Sequence, residues 1–164
     1  MSQRRAFAIA LAIFIVDQVV KWWVINPLNL EARETIEIVG IFSLTWVENR
    51  GISLGLLQAG SETARWALVI GTAAIAAGVG YMITRPGEEG DRLGFAMILG
   101  GALGNIVDRT RFGYVVDYAD LHFGEFRPFY VFNIADAAIS IGVVLLLIRA
   151  FMPEKKAQPE NDNA

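Results

Sequence analysis

Two acids in the stretch 115–136 are of the type and spacing that could hydrolyse an amide. Asp117 lies in Val115-Val116-Asp117-Tyr118, and Asp136 ends Phe132-Asn133-Ile134-Ala135-Asp136, where a long apolar run opens. Two carboxylates within about 4 Å destabilise the doubly ionised state by about 4 kcal/mol at an effective dielectric of ~20. That is roughly three pKa units. One proton would then be shared, leaving an acid and a base near neutral pH. Such a pair can activate a water against a carbonyl and then protonate the leaving amine. Spacing alone does not bring the two together: a helix-capping Asp136 with a solvated Asp117 fits the same residues.

Other polar groups interrupt apolar runs. Asp17 and Lys21 are an i,i+4 pair in the favourable order, acid first. Each such charge at the centre of a membrane span costs about 2.5–3.5 kcal/mol, so both should face protein or reach an interface, with Lys21 able to snorkel outward. They read as a structural ion pair or as support for a site on the outer side. Asn105 shares a helix face with Asp108 and Arg109, which do not face each other. These three read as a capped helix end or as one wall of a site. Asn49-Arg50-Gly51 has the chemistry of a turn, since Asn and Gly tolerate positive φ.

A length of 164 residues suits one domain, here 1–164. Hydrophobic residues make up 54% and mean hydropathy is +0.44, above soluble-domain composition. The chain has no cysteine, which excludes disulfides, thiol nucleophiles and Cys-ligated metal. Its lone histidine, His122, rules out a multi-histidine metal site and leaves a Ser-His mechanism without support. A net charge of −3 with no basic block does not suggest nucleic acid as a partner.

The apolar runs predict an integral membrane, mainly α protein with four transmembrane helices, at about 6–25, 64–83, 93–111 and 134–152. Arg4-Arg5 ahead of the first run could also begin a signal peptide. Asp17, Gln18 and Lys21 interrupt that run and no small-x-small site follows, so the span is read as retained. Arg4-Arg5, Arg85, Arg92, Arg149, Lys155 and Lys156 then share one side, which the positive-inside rule assigns to the cytoplasm together with both termini. Gly100 with Gly104, and Ala73 with Ala77, read as small-xxx-small helix-packing pairs. Residues 153–164 read as a disordered charged tail.

Within the outer segment 26–63, residues 35–48 alternate as two strands around Gly40, giving a small β-sheet subdomain on the outer (periplasmic) face. Phe42, Leu44 and Trp46 would share one face, with Trp46 near the headgroups. In the outer loop 112–132, Asp120, His122, Glu125 and Arg127 read as a mobile solvated flap, with Phe123, Phe126, Phe129 and Tyr130 at the interface.

Taken together, these residues resemble bacterial lipoprotein signal peptidase, signal peptidase II. The resemblance is carried by Asp17-Gln18 with Lys21, Asn49-x-Gly51, Gly100-Gly101-Ala102-Leu103-Gly104-Asn105-x-x-Asp108-Arg109, Val115-Val116-Asp117-Tyr118 and Phe132-Asn133-Ile134-Ala135-Asp136. The motifs run in the family's order through nearly the whole chain. The resemblance implies an aspartic endopeptidase that cuts prolipoproteins on the amino side of a diacylglyceryl-modified cysteine. Its catalytic dyad would be Asp117 and Asp136. Asn49, Gly51, Asn105, Asp108, Arg109, Asn133 and Ala135 would line the site, and Asp17 and Lys21 would support it. It further implies no metal or organic cofactor and no obligate protein partner. Lipidated prolipoproteins and the phospholipid bilayer would be the partners, with peptide antibiotics as inhibitors, at the outer face of the bacterial inner membrane. Two departures stand out: Ile52-Ser53-Leu54 replaces the usual Ala-Ala-Phe, and Tyr118 stands where Phe is common. A proton-coupled transporter would instead need acids spread across the spans. An assembly subunit would use its polar groups only to lock helices.

Overall fold

The computed structural model describes residues 1–51 and 62–151. Its elements are α1 (Gln3–Ile25), α2 (Leu30–Arg33), β1 (Thr35–Val39), β2 (Phe42–Asn49), α3 (Glu62–Thr84), α4 (Arg92–Phe112), β3 (Val115–Leu121) and α5 (Ile134–Phe151). The substitution at 52–54 and the expected tail at 153–164 lie outside the described residues.

Three of the described helices, α1, α3 and α5, are long and apolar enough to cross a membrane. α4 fails that test, and its position explains why. α1, α3 and α5 all pack on it. It buries Gly94, Gly100, Gly101 and Gly104 along with Ala96, Leu99, Ala102, Asn105 and Asp108. A helix surrounded by other helices needs small residues for close approach and can carry polar ones that its neighbours satisfy. A Cβ on Gly100 would come within 2.6 Å of the Ala10 carbonyl, and one on Gly104 would strike the Asp17 carboxylate. This small-xxx-small pair therefore faces α1. On α3 the packed residue is Ala76 in place of Ala73 and Ala77, which are exposed.

The sheet is antiparallel with strand order β1-β2-β3. β1 and β2 form the expected hairpin, with Val39 paired to Phe42 around Gly40-Ile41. The third strand corrects the expectation of a flap over 112–132. Gly113 ends α4 in the left-handed region (φ 87°), where glycine carries no Cβ penalty, and its N–H closes on Arg109 O at 3.1 Å. The chain turns there straight into β3, whose Asp117 pairs with Val47 and Val115 with Asn49. Phe42, Leu44 and Trp46 pack with Phe132 against Val24, Leu30, Tyr118 and Ala119, which joins the sheet to the end of α1. Trp46 is half-buried there, edge-on to Tyr114 at 6.5 Å.

Beyond β3 the chain makes a second tight hairpin. Phe123 and Phe126 exchange backbone hydrogen bonds of 2.8 and 3.3 Å around Gly124 (φ 64°). Asp120 is buried, contrary to a solvated role, and accepts from Thr45 Oγ1 and Arg127 Nε at 3.2 Å each. His122 is half-buried with Nε2 3.0 Å from Ser43 Oγ. Phe123, Phe126, Phe129 and Tyr130 are exposed. The return stroke ends where Phe132 pairs with Ala119, and this delivers Asn133 beside β3.

Candidate active site

α5 begins with a self-contained capping motif. Asn133 Oδ1 accepts from Asp136 N at 2.9 Å, and Asp136 Oδ2 accepts from Asn133 N at 3.3 Å. This reciprocal arrangement satisfies two amides that a helix start otherwise leaves open. It also ties the Asp136 carboxylate to the residue that bonds β3. A third open amide, Ala135 N, donates 3.0 Å to Asp17 Oδ1 from α1. Asp136 thus owes its place to backbone chemistry within its own helix.

The Asn133 amide nitrogen is left over from capping and donates 2.7 Å to Asp117 Oδ1. Asp117 Oδ2 accepts from Asn49 Nδ2 at 3.0 Å. Asn49 can hold that angle because its Oδ1 accepts from Gly51 N at 3.0 Å, an Asx-turn of the kind Asn makes two residues on. Gly51 sits at φ 88°, where glycine carries no Cβ penalty, and the tip of the Leu68 side chain rests beside it. On the other side, Asp136 Oδ1 accepts from Asn105 Nδ2 at 2.8 Å. Each carboxylate is therefore held by side-chain amides, and Asn133 touches both.

Asn105 is oriented in turn by a buried ionic cluster. Lys21 Nζ lies 2.9 Å from Asp17 Oδ2, 2.7 Å from Asp108 Oδ2 and 3.3 Å from Asn105 Oδ1. Lys21 is only 2% exposed, so of the two placements expected for it, facing protein or snorkelling to an interface, it takes the first. Gln18 Nε2 adds contacts to Asp17 (3.2 Å), Gly104 O (3.3 Å) and Asp108 Oδ1 (3.0 Å). Asp108 Oδ2 accepts from Val116 N at 3.2 Å, which ties α4 to the strand carrying Asp117. A charge cluster of this kind is tolerated in an apolar interior because every member is paired.

Arg109 is half-buried and stands apart from this cluster. Its charge acts on Asp136, Asp117 and Asp108 without forming an ion pair with any of them. Its buried Nε has no hydrogen-bond partner among the described residues. Ala135 is fully buried against Gly101, whose Cβ would strike the Ala135 carbonyl. Tyr118 is buried with its hydroxyl unbonded among the described residues, and burial raises its pKa.

Asp117 is strongly altered by this environment. Burial, and then the nearby Asp136 charge, push its carboxyl up to about 7, against the opposing pull of Asn49, Asn133 and Lys21. Among the described residues no group of three or more His, Asp or Glu side chains is placed to hold a metal ion.

Sequence reasoning missed two supporting residues. Gln18 belonged to a recognised motif but was given no role of its own. Arg65 donates to Arg109 O at 2.8 Å and Thr110 O at 2.7 Å, closing the end of α4 from the start of α3. Backbone carbonyls leave no signature in a sequence, so nothing along the chain pointed Arg65 toward them.

Residues 9–152 match the family model described as signal peptidase (SPase) II. The lipoprotein signal peptidase of Sphingopyxis alaskensis is 55% identical over 148 residues, covering 90% of this chain and 86% of that one. That of Rhizorhabdus wittichii is 50% identical over 159 residues, covering 96% and 92%. A bacterial membrane enzyme solved by the in meso method at 1.9 Å superposes with a TM-score of 0.77 at 26% identity, covering 93% of this chain and 94% of that one.

Proposed function

The chain belongs to the signal peptidase II family, and we propose that within it Asp117 and Asp136 are the catalytic pair of an aspartic endopeptidase. Family membership makes it a bacterial membrane protease of lipoprotein processing that removes signal peptides from prolipoproteins. The finer reading is cleavage on the amino side of a diacylglyceryl-modified cysteine. The observation that carries the dyad is Asn133, which hydrogen-bonds Asp117 and caps Asp136 with one side chain.

In the proposed reaction a water lies between the two carboxyls. Asp117, held near 7, enters protonated and donates to the scissile carbonyl oxygen. Asp136 takes a proton from the water as its oxygen attacks the carbonyl carbon. The resulting gem-diol collapses when Asp136 returns that proton to the amide nitrogen. The C–N bond breaks, and a diol hydroxyl gives its proton back to Asp117. Arg109, with its guanidinium unclaimed by any described carboxylate, is read as a contact for substrate carbonyl or lipid-ester oxygens. Asn49, Asn105 and Asn133 orient the pair; Asp17, Lys21 and Asp108 hold them.

In the same reading α4 is a fourth span, the termini are cytoplasmic, and the sheet and site lie at the outer face. Supporting this, the Met1 amine bonds Glu89 O at 2.9 Å and Arg92 Nη1 bonds Met1 O at 2.9 Å. Arg4, Arg5, Arg85, Arg92 and Arg149 therefore gather at the end remote from the sheet. The scissile bond of a lipid-anchored substrate would meet the site at headgroup depth, with the phospholipid bilayer and lipidated prolipoproteins as partners and peptide antibiotics as competing ligands. The acids Asp17, Asp108, Asp117 and Asp136 cluster at one end, which disfavours a relay through the spans.

The test is cleavage of a purified lipidated prolipoprotein by wild type and by Asp136→Asn at matched folded concentration. Equal rates would remove the dyad assignment.

A further inference from the structure

On the face of α4 adjoining the catalytic one, a cavity of about 130 Å³ opens between the ends of α1 and α4. It is well above the ~10–15 Å³ that one water needs. Its floor is the buried ionic cluster seen from behind: Lys21 and Asp108, with Gln18 over them. Its walls are Trp22 and Phe112, and its rim carries Asn26 and Arg111.

Three polar groups here remain unclaimed. Gln18 turns its amide nitrogen to Asp17, Gly104 and Asp108, and its Oε1 accepts from none of the described residues. Asn26 donates its Nδ2 to Trp22 O at 2.9 Å, and its Oδ1 is likewise unclaimed among the described residues. Arg111 has no ion pair or hydrogen bond to a described residue; its guanidinium stands 4.9 Å over the Phe112 ring. The floor carries the Asp108 carboxylate and the Lys21 ammonium 2.7 Å apart, so its charges are paired and the unclaimed amide oxygens are what it offers. The rim carries the Arg111 cation. The cavity is thus polarised, hydrogen-bond-accepting inside and positive at its mouth. Aromatic walls beside a cationic side chain at the end of apolar helices suit the headgroup layer of a bilayer.

We propose that this α1/α4 cavity binds the headgroup of an aminophospholipid. The primary ammonium donates to Gln18 Oε1 and Asn26 Oδ1, and the phosphate accepts from Arg111. A zwitterion of that polarity matches the floor and rim together. A trimethylated headgroup has no N–H to give the two acceptors, and an anionic one such as phosphatidylglycerol brings no ammonium to them. The proposal needs only that the chain sits in a bilayer; it is independent of the peptidase mechanism.

The test uses the full chain in phosphatidylcholine nanodiscs or detergent, with native mass spectrometry of bound lipid. Phosphatidylethanolamine, phosphatidylcholine and phosphatidylglycerol of identical acyl chains are titrated separately, alongside soluble O-phosphoethanolamine. Phosphatidylethanolamine should bind at least tenfold more tightly than phosphatidylcholine. Arg111→Gln should lose about tenfold of that affinity or more, the effect of one charge-assisted hydrogen bond, while Arg111→Lys retains most of it. If Arg111→Gln does not fold, Asn26→Leu replaces it with the same expected direction. Equal binding of the phospholipids, tighter binding of phosphatidylglycerol, or an unchanged folded variant would overturn the proposal. So would soluble phosphoethanolamine binding as tightly as the lipid.

Discussion

Asn133 and Asp136 hold each other by both ends, with Asn133 Oδ1 2.9 Å from Asp136 N and Asp136 Oδ2 3.3 Å from Asn133 N. The cap uses only the oxygen of the Asn133 side chain, which frees its nitrogen for Asp117 at 2.7 Å. Serine caps helices about as well as asparagine but has no such nitrogen. Asn133→Ser should therefore keep the cap but lose about 1–3 kcal/mol for the buried Asp117 oxygen left without its donor, while kcat falls about 10²-fold, the scale of a misplaced catalytic group. Asn133→Ala should lose the cap as well, at about 1–2 kcal/mol more. Thermal unfolding and a cleavage assay on the same preparations separate the two. Undiminished turnover in Asn133→Ser would show that Asp117 needs no such support.

The Asp117 carboxyl, held up to about 7 in the fold, lies above its unfolded value near 3.8. The folded state then binds more protons than the unfolded one between those limits. This contribution to stability is fully present below about pH 4 and is lost as pH rises through about 7. Asp117→Asn should be inactive, and more stable than wild type above pH 7, by at most about 4 kcal/mol for roughly three units. The difference should vanish near pH 4. In wild type, kcat/KM should decline above about pH 7 as the acid is ionised. Melting curves at pH 4.5 and 8 check the sign; greater stabilisation at the lower pH would contradict it.

Lys21 is the only cation bonded to Asp17 and Asp108 among the described residues. Lys21→Met keeps the bulk and leaves two buried carboxylates without a counter-ion, so a loss of about 3–5 kcal/mol is expected. Adding Asp108→Asn should recover part of it. A Tm within a degree of wild type for Lys21→Met would mean that the cluster is more hydrated than its 2% exposure implies.

Gly104→Ala drives a methyl into the Asp17 carboxylate. It should cost about 1–3 kcal/mol and depress activity through Ala135 and Asn105, which the same cluster positions. Gly78 has nothing within 4 Å of its would-be Cβ, so Gly78→Ala should be neutral or stabilise by about 0.5–1 kcal/mol. Equal effects of the two substitutions on Tm would rule out the close α1–α4 approach.

The four long helices were readable in the chain because long apolar runs have few other uses, and each expected run falls on a helix, whereas the four-residue α2 was not anticipated. β3 was not. Val115-Val116-Asp117-Tyr118-Ala119-Asp120-Leu121 mixes acids with apolar residues and is buried through most of its length, so the alternation that betrays a half-exposed strand is missing. The polar motifs marked which residues gather, but their partners could not be read. Asp17 seeks the Ala135 amide, Asp108 the Val116 amide and Arg65 two α4 carbonyls. All of these are main-chain groups that every residue type presents alike.

The central seat of α4, enclosed by α1, α3 and α5, bears on how the chain is made. Asp108 and Arg109 each disfavour transfer from the translocon to lipid by about 2.5–3.5 kcal/mol near a span's centre, less toward its end. On the four-span reading α4 does not partition alone. It leaves the channel against α1, whose Lys21 and Gln18 already answer Asp108, and α5 then seals it through Asn105 and Asp136. On the same reading, the amide–carboxylate contact proposed for catalysis forms only when α5, the last of the helices, is in place beside α4.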